Sequence, residues 1–147
     1  MRTFPPNALE QIAELSTQML AGYERFAKAH HISSNELDIL YTLWVEGACS
    51  QARIAEKCLL AKQTVNTLCK KYEAQGLLTG HVSEQDKREK VMALTEQGRA
   101  FAEPIVGVLL TRENSAVAAF GQARIDFLLS ELQALKSVVE TNLEQDS

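Results

Sequence analysis

Gln63, Asn66, Thr67 and Lys70 recur at spacings of three and four residues, which at 100° per residue places them, with Ala74, on one side of a helix. Val65, Leu68, Cys69 and Tyr72 fall on the other side. A core-packed helix normally turns Lys and Glu to water. This one turns out amide, hydroxyl and ammonium groups, the side chains that hydrogen-bond base edges and phosphates in a major groove. Taken alone, such a face reads better as that of an ordinary solvated helix. The charged hairpin tip that follows, with Lys87, Arg88 and Lys90, turns the reading towards DNA.

The remaining side chains capable of chemistry do not converge. His30 and His31 fall at a helix end and His81 in a strand, and none stands in a nucleophile or metal motif. No catalytic constellation follows, so no enzyme is expected, and no cofactor or metal. Cys49, Cys58 and Cys69 are an odd set without a CxxC pair, which argues against a disulfide framework and a zinc ribbon and fits a reducing compartment. Cys58 and Cys69 share the apolar faces of two helices expected to pack together, and read as small core residues. Cys49 sits at a helix–helix turn, a place open to either exposure or burial, with no basic neighbour in sequence to lower its pKa. A cysteine-based redox sensor stays open as an alternative.

These residues need a scaffold, and 147 residues suffice for one domain with a proper core. The apolar share of 46% and charged share of 23% are those of an average globular protein, and three prolines with seven glycines point to long helices. No apolar run approaches the roughly 20 residues of a membrane helix. The start, MRTFPPNALEQ, lacks a charged-then-apolar signal pattern, so a cytoplasmic protein without a membrane partner is expected. The net charge of −4 is unevenly spread. Residues 51–90 hold eight Lys/Arg against five Asp/Glu, a net of +3, and the rest holds seven against fourteen, a net of −7. It is the local field that steers a polyanion.

The elements read as follows. Residues 7–30 repeat Leu9, Ile12, Ala13, Met19, Leu20, Tyr23, Phe26 and Ala27 at helical spacing. Ser33-Ser34-Asn35-Glu36 is a capping box, starting a helix near Ser34 that Gly47 stops after Glu46. Ser50 caps a short helix, QARIAEKC, with Ile54, Ala55 and Cys58 inward. The polar-faced helix spans about 61–75 and Gly76 closes it. Leu77–Val82 and Glu89–Leu94 read as strands around a turn at Ser83–Lys87. Helical period resumes from Thr95 to about Phe120, with an irregularity expected at Pro104, and a last helix carries Ile125 to Leu143.

The expected fold is mainly α with a small β-hairpin. It is one domain over residues 1–147, with a central module at 34–98 flanked by dimerisation helices at 1–31 and 99–147. A central module of that size cannot cover three wide apolar helical faces. A second copy with interleaved end helices can, giving a homodimer about a two-fold axis.

This order of elements resembles the MarR family of bacterial transcriptional regulators across essentially the whole chain. The resemblance is carried by SQARIAEKC, by KQTVNTLCKKYEAQGLL and by DKREKVMALTEQG, the last with Asp86-x-Arg88, then Leu94-Thr95 and Gly98. It implies a homodimeric winged helix-turn-helix protein that binds double-stranded DNA at a pseudo-palindromic operator, usually as a repressor. Gln63, Thr64, Asn66, Thr67 and Lys70 would then face the major groove. Lys62, Lys71 and Lys87 would meet phosphates, and Arg88 would enter the minor groove, oriented by Asp86. The resemblance also implies a crevice for a small aromatic effector, for which Tyr23, Phe26, Tyr41 and Trp44 are the candidates. Two residues depart from the family pattern: Ala61 stands at a position usually held by a capping Ser or Asp, and Leu59 where a turn-forming residue is common. The peroxide-sensing branch uses an N-terminal cysteine, and no cysteine precedes residue 49 here. A winged helix kept for protein contacts, the other alternative, would be expected to lose its groove-facing cations and wing arginine, and both are present.

Overall fold

The computed structural model describes residues 1–145. Helices α1 (Ala8–Ala29) and α2 (Ser34–Glu46) come first, followed by strand β1 (Cys49–Ser50), α3 (Gln51–Cys58) and α4 (Lys62–Ala74). Strands β2 (Leu78–Val82) and β3 (Lys90–Leu94) lead to α5 (Glu96–Ala102), a π-helical turn (Glu103–Gly107), α6 (Val108–Phe120) and α7 (Gln122–Leu143). The backbone forms two compact units, one ending at Val106 and one starting at Gly107.

Local chemistry explains most boundaries. The Asn7 side chain accepts from Glu10 N to open α1, and Ser33 and Glu36 close the expected box on α2. Ser50 caps α3 and Thr95 caps α5. Ala61 has no side chain able to cap α4, which forgoes about 1 kcal/mol. The turn between α3 and α4 places Leu59 in the left-handed region at φ 52° with its side chain in water, a conformation that costs a non-glycine residue roughly 1–2 kcal/mol. Pro104 lies inside the π-helical turn, where the missing N–H breaks the regular ladder.

The first unit's core is built where α2, α3, α4 and the sheet meet. Ile39, Leu40, Leu43, Ile54, Val65, Cys69, Tyr72 and Met92 are essentially sealed from solvent. The Thr95 hydroxyl donates to Gly76 O at 2.7 Å and accepts from Gly98 N at 2.9 Å, tying the start of α5 to the end of α4. Gly98 is required there: a Cβ would sit 1.9 Å from Leu77 O. That contact gives the Leu-Thr-x-x-Gly spacing its physical meaning.

The sheet differs from the expected hairpin. It has three antiparallel strands in the order β1-β3-β2, because Cys49 and Ser50 pair with Met92 and Val91 of β3. Cys49, at what the sequence reads as a helix–helix turn, is therefore buried. Cys58, expected inward, is half-buried and lies 3.5 Å from the Thr42 hydroxyl.

The second unit holds α6 and α7 joined at Gly121. No residue of α7 is buried, and α1 in the first unit buries only Ala27.

Candidate nucleic-acid interface

The polar face of α4 emerges as the periodicity implies. Val65, Cys69 and Tyr72 anchor one side in the core, while Lys62, Gln63, Thr67 and Lys70 are exposed and Thr64 and Asn66 are half-buried. Leu68, read as apolar-faced, is half-buried. Gln63 Nε2 donates to Thr67 Oγ1 at 3.4 Å, one turn along the outer face. With no side-chain cap at Ala61, the first N–H groups of α4 lack that partner at the helix's positive end.

The wing is held by its own turn. Ser83 Oγ accepts from Gln85 N and Asp86 N, and Ser83 N donates to Glu89 O at 2.9 Å. Asp86 Oδ1 accepts from Arg88 N at 3.0 Å and from Arg88 Nε at 3.3 Å. The Arg88 side chain is otherwise 91% exposed. Helix and wing meet at one groove of about 510 Å³, lined by Gln51, Ala52, Lys62, Asn66, Asp86, Arg88, Glu89 and Lys90. A second hollow of about 270 Å³ brings Gln63, Thr64 and Thr67 beside Ser33 and Asn35 at the start of α2.

The basic surplus of residues 51–90 resolves into three groups. Arg53 and Lys57 both bind Glu46, Lys57 at 3.0 Å, and Lys90 binds Glu73 at 2.8 Å. Lys71, read from the sequence as a phosphate contact, has its ammonium 3.3 Å from Glu36 Oε2 and 5.9 Å from the centre of the Tyr72 ring. Arg88 is held by Asp86. Lys62, Lys70 and Lys87 are exposed, with no ion-pair partner among the described residues.

Behind α4 lies a buried carboxylate that sequence reading used only as a cap. Burial acts to raise the Glu36 carboxyl. The Tyr72 hydroxyl, Ser33 and the Lys71 charge together outweigh that and hold it below the ordinary value. The same bond, after burial itself, pushes the Tyr72 phenol far above its usual range. A signal was present, since Glu36 is acidic at N3 of an apolar helix. Its partner thirty-six residues on was not legible.

The aromatic candidates sit on α1 and α2. Phe26 stacks on His30 with ring centres 4.3 Å apart, and the Arg99 guanidinium lies 4.6 Å from the Trp44 ring centre. Tyr23 is exposed and Tyr41 half-buried. Two buried thiols, Cys49 and Cys69, offer little nucleophilicity. Desolvation pushes Cys49 up to about 11, aided by its bond to Glu46, and Cys69 likewise to about 11. Among the described residues no group of three or more His, Cys, Asp or Glu is placed to hold a metal ion, and no helix is long and apolar enough to cross a membrane.

Comparison with known proteins converges on one family. Residues 31–89 match the MarR family profile. The organic hydroperoxide resistance transcriptional regulator of Bacillus subtilis (strain 168) is 28% identical over 93 residues, and the match spans 63% of this chain and 63% of that regulator's length. NMB1585, a MarR family regulator from Neisseria meningitidis, is 32% identical with a TM-score of 0.85, covering 97% of this chain and 100% of that one. MepR of S. aureus, solved as a DNA complex, shares the fold at a TM-score of 0.70 and 18% identity, covering 90% of this chain and 96% of its own. The chain belongs to the MarR family of transcription regulators and has their winged-helix fold.

Proposed function

We propose that this regulator is a homodimeric repressor that reads a pseudo-palindromic operator with α4 and the wing. The observation that carries the reading is the shared groove, where Lys62 and Asn66 of α4 face Arg88 of the wing across one cavity. A helix bearing amides and hydroxyls suits a major groove, and an exposed, oriented guanidinium suits a narrow minor groove. Gln63, Thr64, Asn66, Thr67 and Lys70 are the base-facing set, with Lys62 and Lys87 at phosphates. Lys71, tied to Glu36, is the weakest phosphate candidate. That MepR was solved on DNA supports this use of the shared fold.

Dimerisation is supported by the end helices. Met19 and Leu20 of α1 are 70% and 64% exposed, and Phe127 of α7 is 68% exposed. Covering such side chains contributes about 1.5–3 kcal/mol each, which a second copy would supply. Helices at 1–31 and 99–147 would then serve as the dimerisation elements around the module at 34–98. Tyr23, Phe26, Tyr41 and Trp44, on two helices that pack together, are the proposed contacts for a small aromatic effector. The redox alternative has less support: Cys49 and Cys69 are buried with raised thiol pKa values, despite the hydroperoxide-regulator relative.

An electrophoretic shift of the full chain against genomic fragments, repeated at raised salt, tests the reading. A few discrete fragments should remain shifted as salt rises, and light scattering should give twice the 16.3 kDa chain mass. A protein-interaction module would shift none.

A further inference from the structure

We propose that Glu73 and Lys90 form a clamp fixing the wing against α4, so that Glu73 is a positioning residue for DNA binding although it touches no DNA; the inference rests on the DNA-binding reading above. Lys90 opens β3, two residues after Arg88, and its ammonium lies 2.8 Å from Glu73 Oε1. Glu73 stands in the last turn of α4, seven residues after Asn66 and so on nearly the same side of the helix.

The route between them is built for the purpose. Lys90 pairs with Val82 across the sheet, and Gly80 pairs with Met92. A Cβ at Gly80 would lie 2.8 Å from Lys90 Cε and 2.9 Å from Met92 Sδ, so the lysine stem crosses β2 through the space the glycine leaves open. Asn66, Arg88 and Lys90 line the same groove. The pair therefore links the element that carries Asn66 to the hairpin that carries Arg88. Both side chains are about a third exposed, and such pairs contribute little to folding. Their use lies in geometry.

The competing reading is that Lys90 simply meets a phosphate and Glu73 is incidental. The two give opposite signs for Glu73→Gln. Removing a negative charge beside DNA should tighten binding if Lys90 acts alone. It should weaken specific binding if the carboxylate holds the wing in register.

The test uses the full-length protein and two duplexes, one selected by the wild type from a randomised pool and one of mixed sequence and equal length. Glu73→Gln should weaken the selected duplex about tenfold and change the mixed one less than about twofold, with the melting temperature unmoved. Lys90→Arg, which keeps the pair, should stay near wild type, and Glu73→Gln with Lys90→Gln should bind no worse than Lys90→Gln alone. Equal or tighter binding by Glu73→Gln, or losses that multiply in the double variant, would overturn the clamp while leaving the DNA-binding reading intact. Failure of the wild type to enrich any sequence would overturn both.

Discussion

Arg88 and Asp86 are bound twice through one oxygen: Asp86 Oδ1 accepts from the Arg88 backbone N–H at 3.0 Å and from its Nε at 3.3 Å. The first bond shapes the turn and the second aims the side chain. The terminal guanidinium nitrogens stay clear of this bond and open to solvent, on a hairpin tip that cannot bury them. Arg88→Ala should therefore cost DNA affinity strongly while leaving melting temperature and dimer mass unchanged. Asp86→Ala should also weaken binding, although it removes a negative charge. If Asp86→Ala tightens binding instead, net charge rather than orientation governs the wing.

Glu36 makes stability depend on acid. Its folded pKa is depressed, so the stabilisation is complete above the ordinary carboxylate pKa and is lost as pH falls through the lower folded value. Tyr72→Phe removes the largest of the contributions that lower the carboxyl and leaves only Ser33 and Lys71 to oppose burial. The variant should lose about 1–3 kcal/mol at neutral pH, and its acid unfolding should begin at higher pH than that of the wild type. Urea titrations across pH 3–7 read both quantities. An unshifted acid limb would mean that the phenol does not govern Glu36.

Lys70 and Lys71 are adjacent in sequence and differently engaged. Lys70 points to water with no ion-pair partner among the described residues, whereas Lys71 is paired with Glu36. Lys70→Ala should weaken all duplexes and flatten the salt slope by about one unit. Lys71→Ala should leave the slope nearly unchanged and lower the melting temperature slightly, since Glu36 loses one neighbour. Equal slope changes in the two variants would return Lys71 to the phosphate set.

Most of the scaffold was legible because local chemistry decides it. The capping box at Ser33–Glu36, the Ser50 cap and the polar face of α4 each lie within a few residues of what they specify. Strand β1 was not legible. Two residues carry no period, and only pairing with Met92 and Val91, some forty residues away, makes them a strand. The burial of Cys49 was not legible for the same reason. Charge could be counted along the chain but not assigned: whether a lysine faces solvent or a carboxylate is set by tertiary contacts such as Lys71 with Glu36 and Lys90 with Glu73. The clamp depends on Gly80, whose role appears only when β2 and β3 are laid side by side.

Parallel selection from a randomised duplex pool by the wild type and by Asn66→Ala tests the base-reading role of α4 most directly. The wild type should enrich a two-fold symmetric sequence. Asn66→Ala should lose its preference at one symmetry-related pair of positions, at about 1–3 kcal/mol per lost bidentate contact, and keep its affinity for mixed-sequence DNA. An unchanged sequence preference, with equal losses on selected and mixed duplexes, would contradict it.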